Sequence, residues 1–126
     1  MITFGEIFYC EKVILNRNGS PREFIKRFES MQAASYPFLF GFSAVVNIIF
    51  SKMLRHEISI RIRSSDGTII FEGARQHIKS STLLHPNAEI SVISTLENVK
   101  FSKPGNYFVY ILVNDRVMHQ DILSFT

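Results

Sequence analysis

The side chains best suited to chemistry are one thiol and four imidazoles, which could act as nucleophile and base or as metal ligands. They are Cys10, His56, His77, His85 and His119. Two histidines aim at one ion most readily when they are two or four residues apart, and no pair here has that spacing. We therefore expect no metal and no cofactor. A small hydrolase-like enzyme stays an alternative, because folding could bring Cys10 beside one of the histidines.

Basic residues suggest a second kind of site, a sheet face that binds single-stranded nucleic acid by charge and stacking. The candidates for such a face are Arg61, Arg63, Arg75 and Lys79. Nearby Glu57 and Glu72 dilute their charge. The net charge of +3, from 14 basic and 11 acidic residues, is also far below that of a nucleic-acid groove. Weak nucleic-acid binding is a second alternative, and the pattern favours an ordinary solvated face.

Length and composition predict one cytoplasmic domain over residues 1–126. A chain of this length can bury a core without disulfides, and its single cysteine allows no intrachain bridge, which suits a reducing compartment. The start of the chain lacks a basic leader, and no segment reaches the roughly 18 apolar residues of a membrane span. The 12 Phe and 4 Tyr, with many Ile and Val, favour pleated strands.

A hairpin closes the chain and is the element best placed to position a site. Apolar residues occupy every second position of its first strand: Tyr107, Val109, Ile111 and Val113. Asn114 and Asp115 then form the turn, because both tolerate the positive φ that a two-residue loop requires. The turn predicts Tyr107 opposite Ile122 on the returning strand. It also predicts Ile111 opposite Met118.

The opposite face of this hairpin is apolar where a solvated strand should be polar. Its residues are Phe108, Tyr110 and Leu112, with Val117 joining them across the turn. Together they would expose a few hundred Å², near the upper end for soluble monomers. Either residues 21–31 cover this stripe, or it is a contact surface for a second copy or another protein.

A second hairpin is predicted at Asp66-Gly67, the strongest turn signal in the chain. Residues 56–63 alternate between isoleucines and polar side chains, which is typical of a half-buried strand. The turn places Ile62 opposite Phe71 on the inner face. It places Arg61 opposite Glu72 outside, as an opposite-charge pair. We expect Gly73 to interrupt the second strand and residues 75–80 to form a separate edge strand.

Residues 21–33 are the ambiguous segment. Ser20, Pro21 and Glu23 have the form of a helix capping box, and Phe24 and Phe28 follow at helical spacing, so the pattern predicts one short amphipathic helix. The rest of the chain predicts strands, including a central one in the apolar run Phe38–Phe50. Frequent turns and about eight short strands indicate an all-β, antiparallel immunoglobulin-like β-sandwich.

Several short motifs spread over most of the chain are similar to those of a known family. They are Cys10-Glu11-Lys12-Val13, Ile25 with Phe28, Tyr36-Pro37-Phe38, Asp66-Gly67, Phe101, Pro104-Gly105-Asn106-Tyr107 and Val113-Asn114-Asp115. The chain resembles an uncharacterised, mostly bacterial domain-of-unknown-function family of small β-sandwich proteins. The resemblance implies a strand rather than a helix at residues 24–28, and it brings no catalytic residues.

These patterns together favour a non-enzymatic binding or protein-interaction module. The partner is either an unknown protein or a second copy bound through the closing hairpin. The enzyme and the nucleic-acid binder described above are the two alternatives.

Overall fold

The computed structural model describes residues 2–50, 56–78 and 89–126. Its ten strands are β1 (Ile2–Leu15), β2 (Pro21–Phe28), β3 (Ser30–Met31), β4 (Phe38–Phe50), β5 (His56–Ser64), β6 (Ile69–Glu72), β7 (Gln76–Ile78), β8 (Glu89–Phe101), β9 (Gly105–Val113) and β10 (Arg116–Phe125). The fold is all-β, as predicted, and the strands beyond the expected number are β2 and β3.

The strands form two sheets. One has the order β2-β1-β4-β8, and the other has the order β3-β10-β9-β5-β6, with β7 beside β5 at the same edge as β6. Neighbours are antiparallel except β3, whose two residues pair parallel with the end of β10. Alternate residues of both sheets meet in the core, where Phe42, Phe101 and Phe125 are almost fully buried. The Phe101 and Phe125 rings stack with their centroids 3.9 Å apart.

No helix forms at residues 21–33, so the helix predicted from the capping-box pattern is wrong and the strand implied by the family resemblance is confirmed. The segment forms β2 and β3, and β2 pairs with β1 from Tyr9 opposite Phe28 to Leu15 opposite Pro21. A helix there would leave one whole side of β1 without backbone partners. The Ser20 hydroxyl donates to Asn18 Oδ1 at 2.6 Å, inside a turn rather than at a helix cap.

The Asp66-Gly67 hairpin forms with the predicted pairs. Ile62 lies opposite Phe71 and Arg61 opposite Glu72. Gly67 has a φ of +89°, which a residue with a side chain rarely adopts. Gly73 ends β6, and the separate edge strand after it is β7. The part of that predicted strand at residues 79–80 lies outside the described residues.

The closing hairpin has its predicted turn, but its register changes two residues into β10. Asn114 and Asp115 both have positive φ, 51° and 65°. Val117 lies opposite Leu112, and then a bulge at Met118 sets His119 opposite Ile111. The expected pairs of Ile111 with Met118 and of Tyr107 with Ile122 are therefore wrong.

The packing of the second half of β10 explains this bulge. Beyond Met118 the bulge turns Leu123 and Phe125 into the core, where they are 1% and 2% exposed, and leaves Ile122 outside at 48%. Continuous pairing would bury Ile122 in their place. Burying a leucine and a phenylalanine removes more apolar surface from water than burying one isoleucine.

Candidate interaction surface

The outer face of the larger sheet forms three rows across β10, β9, β5 and β6. The first row is Ile122, Phe108, Arg63 and Ile69; the second is Gln120, Tyr110, Arg61 and Glu72; the third is Val117, Leu112 and Ser59. The first row is apolar apart from one arginine. This face therefore combines apolar side chains with the guanidinium groups of Arg61 and Arg63.

Exposure along the stripe is uneven. Val117 is 51% exposed, whereas Leu112 is 3% exposed and lines a concavity of about 300 Å³ with Gly73, Ala74 and Asp115. Phe108 and Tyr110 are half-buried. Residues 21–31 do not cover the stripe, because β2 pairs with β1 in the other sheet and β3 pairs only with the end of β10. Because Leu112 is buried, it adds little to the exposed patch.

Two further apolar residues belong to this face and were missed in the sequence. Ile69 is 44% exposed opposite Arg63, and Ile122 is 48% exposed opposite Phe108. Strand alternation alone does not place Ile122 on this face, because the bulge at Met118 reverses the side that Ile122 faces. The sequence does indicate the reversal in one way, since Leu123 and Phe125 together have more apolar surface to bury than Ile122.

Arg63 and Tyr110 frame a second concavity of about 300 Å³ on this face, which Arg61, Gly67 and Val117 complete. The Arg63 guanidinium carbon lies 5.9 Å from the centroid of the Tyr110 ring, within the range of a cation–π contact. Arg63 Nη1 donates a hydrogen bond to the Gly67 carbonyl at 3.3 Å.

The other predicted basic residues do not form a positive surface. Arg61 Nε lies 2.8 Å from Glu72 Oε1. Arg75 Nε lies 2.9 Å from Asp115 Oδ1 and 3.8 Å from Glu57 Oε2. Lys79 lies outside the described residues. The carboxylates compensate two of the three described arginines.

The free edge of β10 is closed by Asp121 and by the Met118 bulge. Asp121 points between the sheets, where its Oδ2 accepts a hydrogen bond from the Tyr9 hydroxyl at 2.9 Å and its Oδ1 accepts one from the Ile122 amide at 2.9 Å. Burial raises the pKa of Tyr9, and the charge and hydrogen bond of Asp121 raise it further. Inward-pointing charges and bulges are both devices that hinder strand addition at an edge.

The candidate catalytic residues lie in different sheets. Cys10 is fully buried on β1 beside Phe8 and Val45, with Val13 and Ile93 packed around them. Burial raises the pKa of its thiol, against the opposing effects of a Lys12 backbone hydrogen bond and the Arg27 charge. A raised pKa makes the reactive thiolate scarcer.

The three described histidines belong to the other sheet. His56 begins β5; His77 Nδ1 on β7 lies 3.5 Å from Glu57 Oε1; and the His119 ring on β10 lies 5.2 Å from that of Phe4. His85 lies outside the described residues. Within the described ranges, no three His, Cys, Asp or Glu side chains are grouped to hold a metal ion. The same ranges contain no helix with the length and apolar character to cross a bilayer.

Solved structures share this fold at low sequence identity. An immunoglobulin-like protein from Pseudomonas aeruginosa matches with a TM-score of 0.55 and 11% identity, over 100% of this chain and 97% of that one. The predicted immunoglobulin-like fold is thus confirmed.

Two enzymes contain a similar part. The alkylpurine DNA glycosylase AlkC of Pseudomonas fluorescens, bound to DNA with an abasic-site analogue, has a TM-score of 0.50 and 10% identity over 77% of this chain and 27% of that one. A Listeria innocua β-glucosidase in complex with isofagomine has a TM-score of 0.51 and 9% identity over 99% and 16%. The chain spans about a quarter and a sixth of these enzymes, and at such identities the likeness concerns the fold alone.

Sequence comparison gives the family directly. No curated protein matches the chain. A model of a family of unknown function, DUF6941, matches residues 7–124, which confirms the resemblance inferred from the motifs, and the chain belongs to this family.

Proposed function

We propose that the chain is a non-enzymatic protein-interaction module whose contact surface is the outer face of the closing hairpin. The observation that supports it is the concentration of exposed apolar side chains on one strand, where Val117, Met118 and Ile122 are each about half exposed. The smaller sheet also has large exposed apolar residues, but they lie on three different strands: Leu15 on β1, Phe24 on β2 and Leu39 on β4. An apolar face of this kind is typical of a protein contact.

The closed edge of β10 supports contact through the face. The Ile122 amide already donates a hydrogen bond to Asp121 Oδ1, so an incoming strand would have to displace that hydrogen bond. A surface that packs against the side chains of Phe108 and Val117 needs no free backbone groups. We therefore propose face-to-face packing rather than strand addition.

A capture experiment tests the proposal. We expect the wild-type chain to retain a protein partner, from lysate or as a second copy, and Val117→Glu to lose it, because the substitution places a charge inside an apolar contact. Leu39→Glu is the matched control, since Leu39 is 64% exposed on the other sheet. Equal retention by both variants would contradict the proposed surface.

A two-fold dimer, one of the two kinds of partner that the sequence left open, is one form of this contact. Sedimentation velocity of the purified chain measures it. A concentration-dependent dimer that Tyr110→Glu converts to monomer without unfolding would identify the partner as a second copy. Outright unfolding of Tyr110→Glu would instead indicate that Tyr110 is needed for the fold.

A further inference from the structure

We infer that the partner, on the surface proposed above, presents a carboxylate beside apolar side chains, and that this carboxylate binds Arg63. The inference concerns the concavity formed by Arg61, Arg63, Gly67, Tyr110 and Val117. It names the chemistry of the partner and rests on the proposed function.

Charge compensation on the face singles out Arg63. Arg61 has Glu72 at 2.8 Å, and Arg75 has Asp115 at 2.9 Å. Among the described residues of this face, Arg63 has no carboxylate partner, and its one hydrogen bond goes to the neutral Gly67 carbonyl. A half-buried guanidinium gains a strong, charge-assisted hydrogen bond when an incoming carboxylate reaches it.

The surroundings of Arg63 indicate what else the partner must carry. Phe108 and Ile69 lie beside Arg63 on the neighbouring strands, and the Tyr110 ring lies below its guanidinium group. A protein segment can place an apolar side chain on this surface while its acidic neighbour meets the arginine. Complementary charge at the rim of an apolar contact selects the partner and its orientation.

A second copy fits this face less well. In a two-fold dimer the same patch supplies both sides, so Arg63 would meet a surface whose own uncompensated charge is positive. An acidic partner removes that repulsion.

Nucleic acid also fits less well. Binding to a phosphate backbone relies on several cationic contacts, whereas Ile69, Val117 and Ile122 on this face are each about half exposed. One uncompensated arginine suits one carboxylate.

Site-specific photo-cross-linking in a lysate of the source organism tests the inference. The probe is benzoylphenylalanine, introduced in the full chain as Val117→benzoylphenylalanine, with Leu39→benzoylphenylalanine as the control position. Mass spectrometry identifies the linked segment. We expect an Asp or Glu within about two positions of the linked apolar residue, since alternate residues of an extended segment share a face.

The contribution of Arg63 is measured in the same experiment. Arg63→Gln should lower the cross-linking yield about tenfold, which corresponds to about 1.4 kcal/mol. Arg22→Gln is the matched control, because Arg22 is exposed on β2 in the other sheet. It should leave the yield unchanged.

The contrary outcomes separate the two claims. Two outcomes overturn the inference and leave the proposed function standing. One is a linked segment from this same chain. The other is a linked segment without acidic residues, with a cross-linking yield that Arg63→Gln does not change. Linked nucleic acid, or a yield at position 117 no higher than at position 39, overturns both.

Discussion

Asp66 holds the β5–β6 turn through its side chain. Its Oδ1 accepts hydrogen bonds from the Ser64 hydroxyl and from the Thr68 amide, the latter at 3.0 Å. The Ser64 hydrogen bond, followed by that of Thr68, lowers the pKa of Asp66 from 3.8 to about 2. Because the folded-state pKa lies below the ordinary value, ionised Asp66 stabilises the fold above about pH 4, and this contribution is lost as the pH falls towards 2.

We expect an NMR titration of the Asp66 carboxyl group to give a pKa of about 2. The stability gap between wild type and Asp66→Ala, measured by urea unfolding, should narrow as the pH is lowered from 4 to 2. A carboxyl group that titrates near 3.8 would show that these hydrogen bonds do not hold the turn in solution.

Cys10 should resist modification in the folded protein. Its side chain is fully buried and its pKa is raised, so both access and thiolate content are low. We expect an aromatic disulfide reagent to label Cys10 only as fast as the chain unfolds, and at once in denaturant. Labelling within seconds under native conditions would return Cys10 to the list of reactive candidates.

The Met118 bulge determines which residues of β10 face the core, and two adjacent positions test it. Leu123→Ala should cost about 2–5 kcal/mol of unfolding free energy, because Leu123 is 1% exposed. Ile122→Ala should cost less than about 1 kcal/mol, because Ile122 is half exposed. Urea denaturation gives both values. A larger cost for Ile122→Ala than for Leu123→Ala would indicate that β10 pairs with β9 without the bulge.

The Tyr9–Asp121 contact joins β1 to β10 across the two sheets and also closes the β10 edge. Asp121→Ala should cost about 1–3 kcal/mol, because it removes the acceptor of a buried hydroxyl and of the Ile122 amide. It should also promote concentration-dependent aggregation, measured by light scattering, since the edge loses its protecting charge.

Tyr9→Phe is the matched variant for this contact, because it removes the hydrogen bond and leaves the carboxylate at the edge. It should destabilise the fold without promoting aggregation. Equal aggregation of the two variants would show that the Asp121 carboxylate does not protect the β10 edge.

For the molecule as a whole, protection from exchange should follow position in the sheets. β4 lies between β1 and β8, and β9 lies between β10 and β5, whereas β2 and β7 are at sheet edges. We expect the amides of Val46 and Ile111 to exchange only through global unfolding and those of β2 and β7 through local opening. Hydrogen exchange followed by NMR measures this. Uniform protection would indicate that the edges open only with the core.

Local rules were enough to predict several features of this protein. Turn residues specified both hairpins, because Asn114, Asp115 and Gly67 suit positive φ whatever surrounds them. Alternation specified that Ile62 and Phe71 share the inner face, since the side-chain period of a strand is set by the backbone alone. The all-β class and the greater part of the apolar stripe follow from the same local rules.

Features that depend on pairing between distant segments could not be predicted from local patterns. Residues 21–28 suit a helix locally, yet the free side of β1 makes them a strand. The side that Ile122 faces depends on the burial of Leu123 and Phe125 in the core, where the Phe125 ring stacks on Phe101 of the other sheet. Separation of Cys10 from the described histidines likewise follows from the order of strands in space. Pairing and packing between segments far apart in sequence outweigh local preference. The free energy gained when they remove apolar surface from water is larger than the propensity of a single residue.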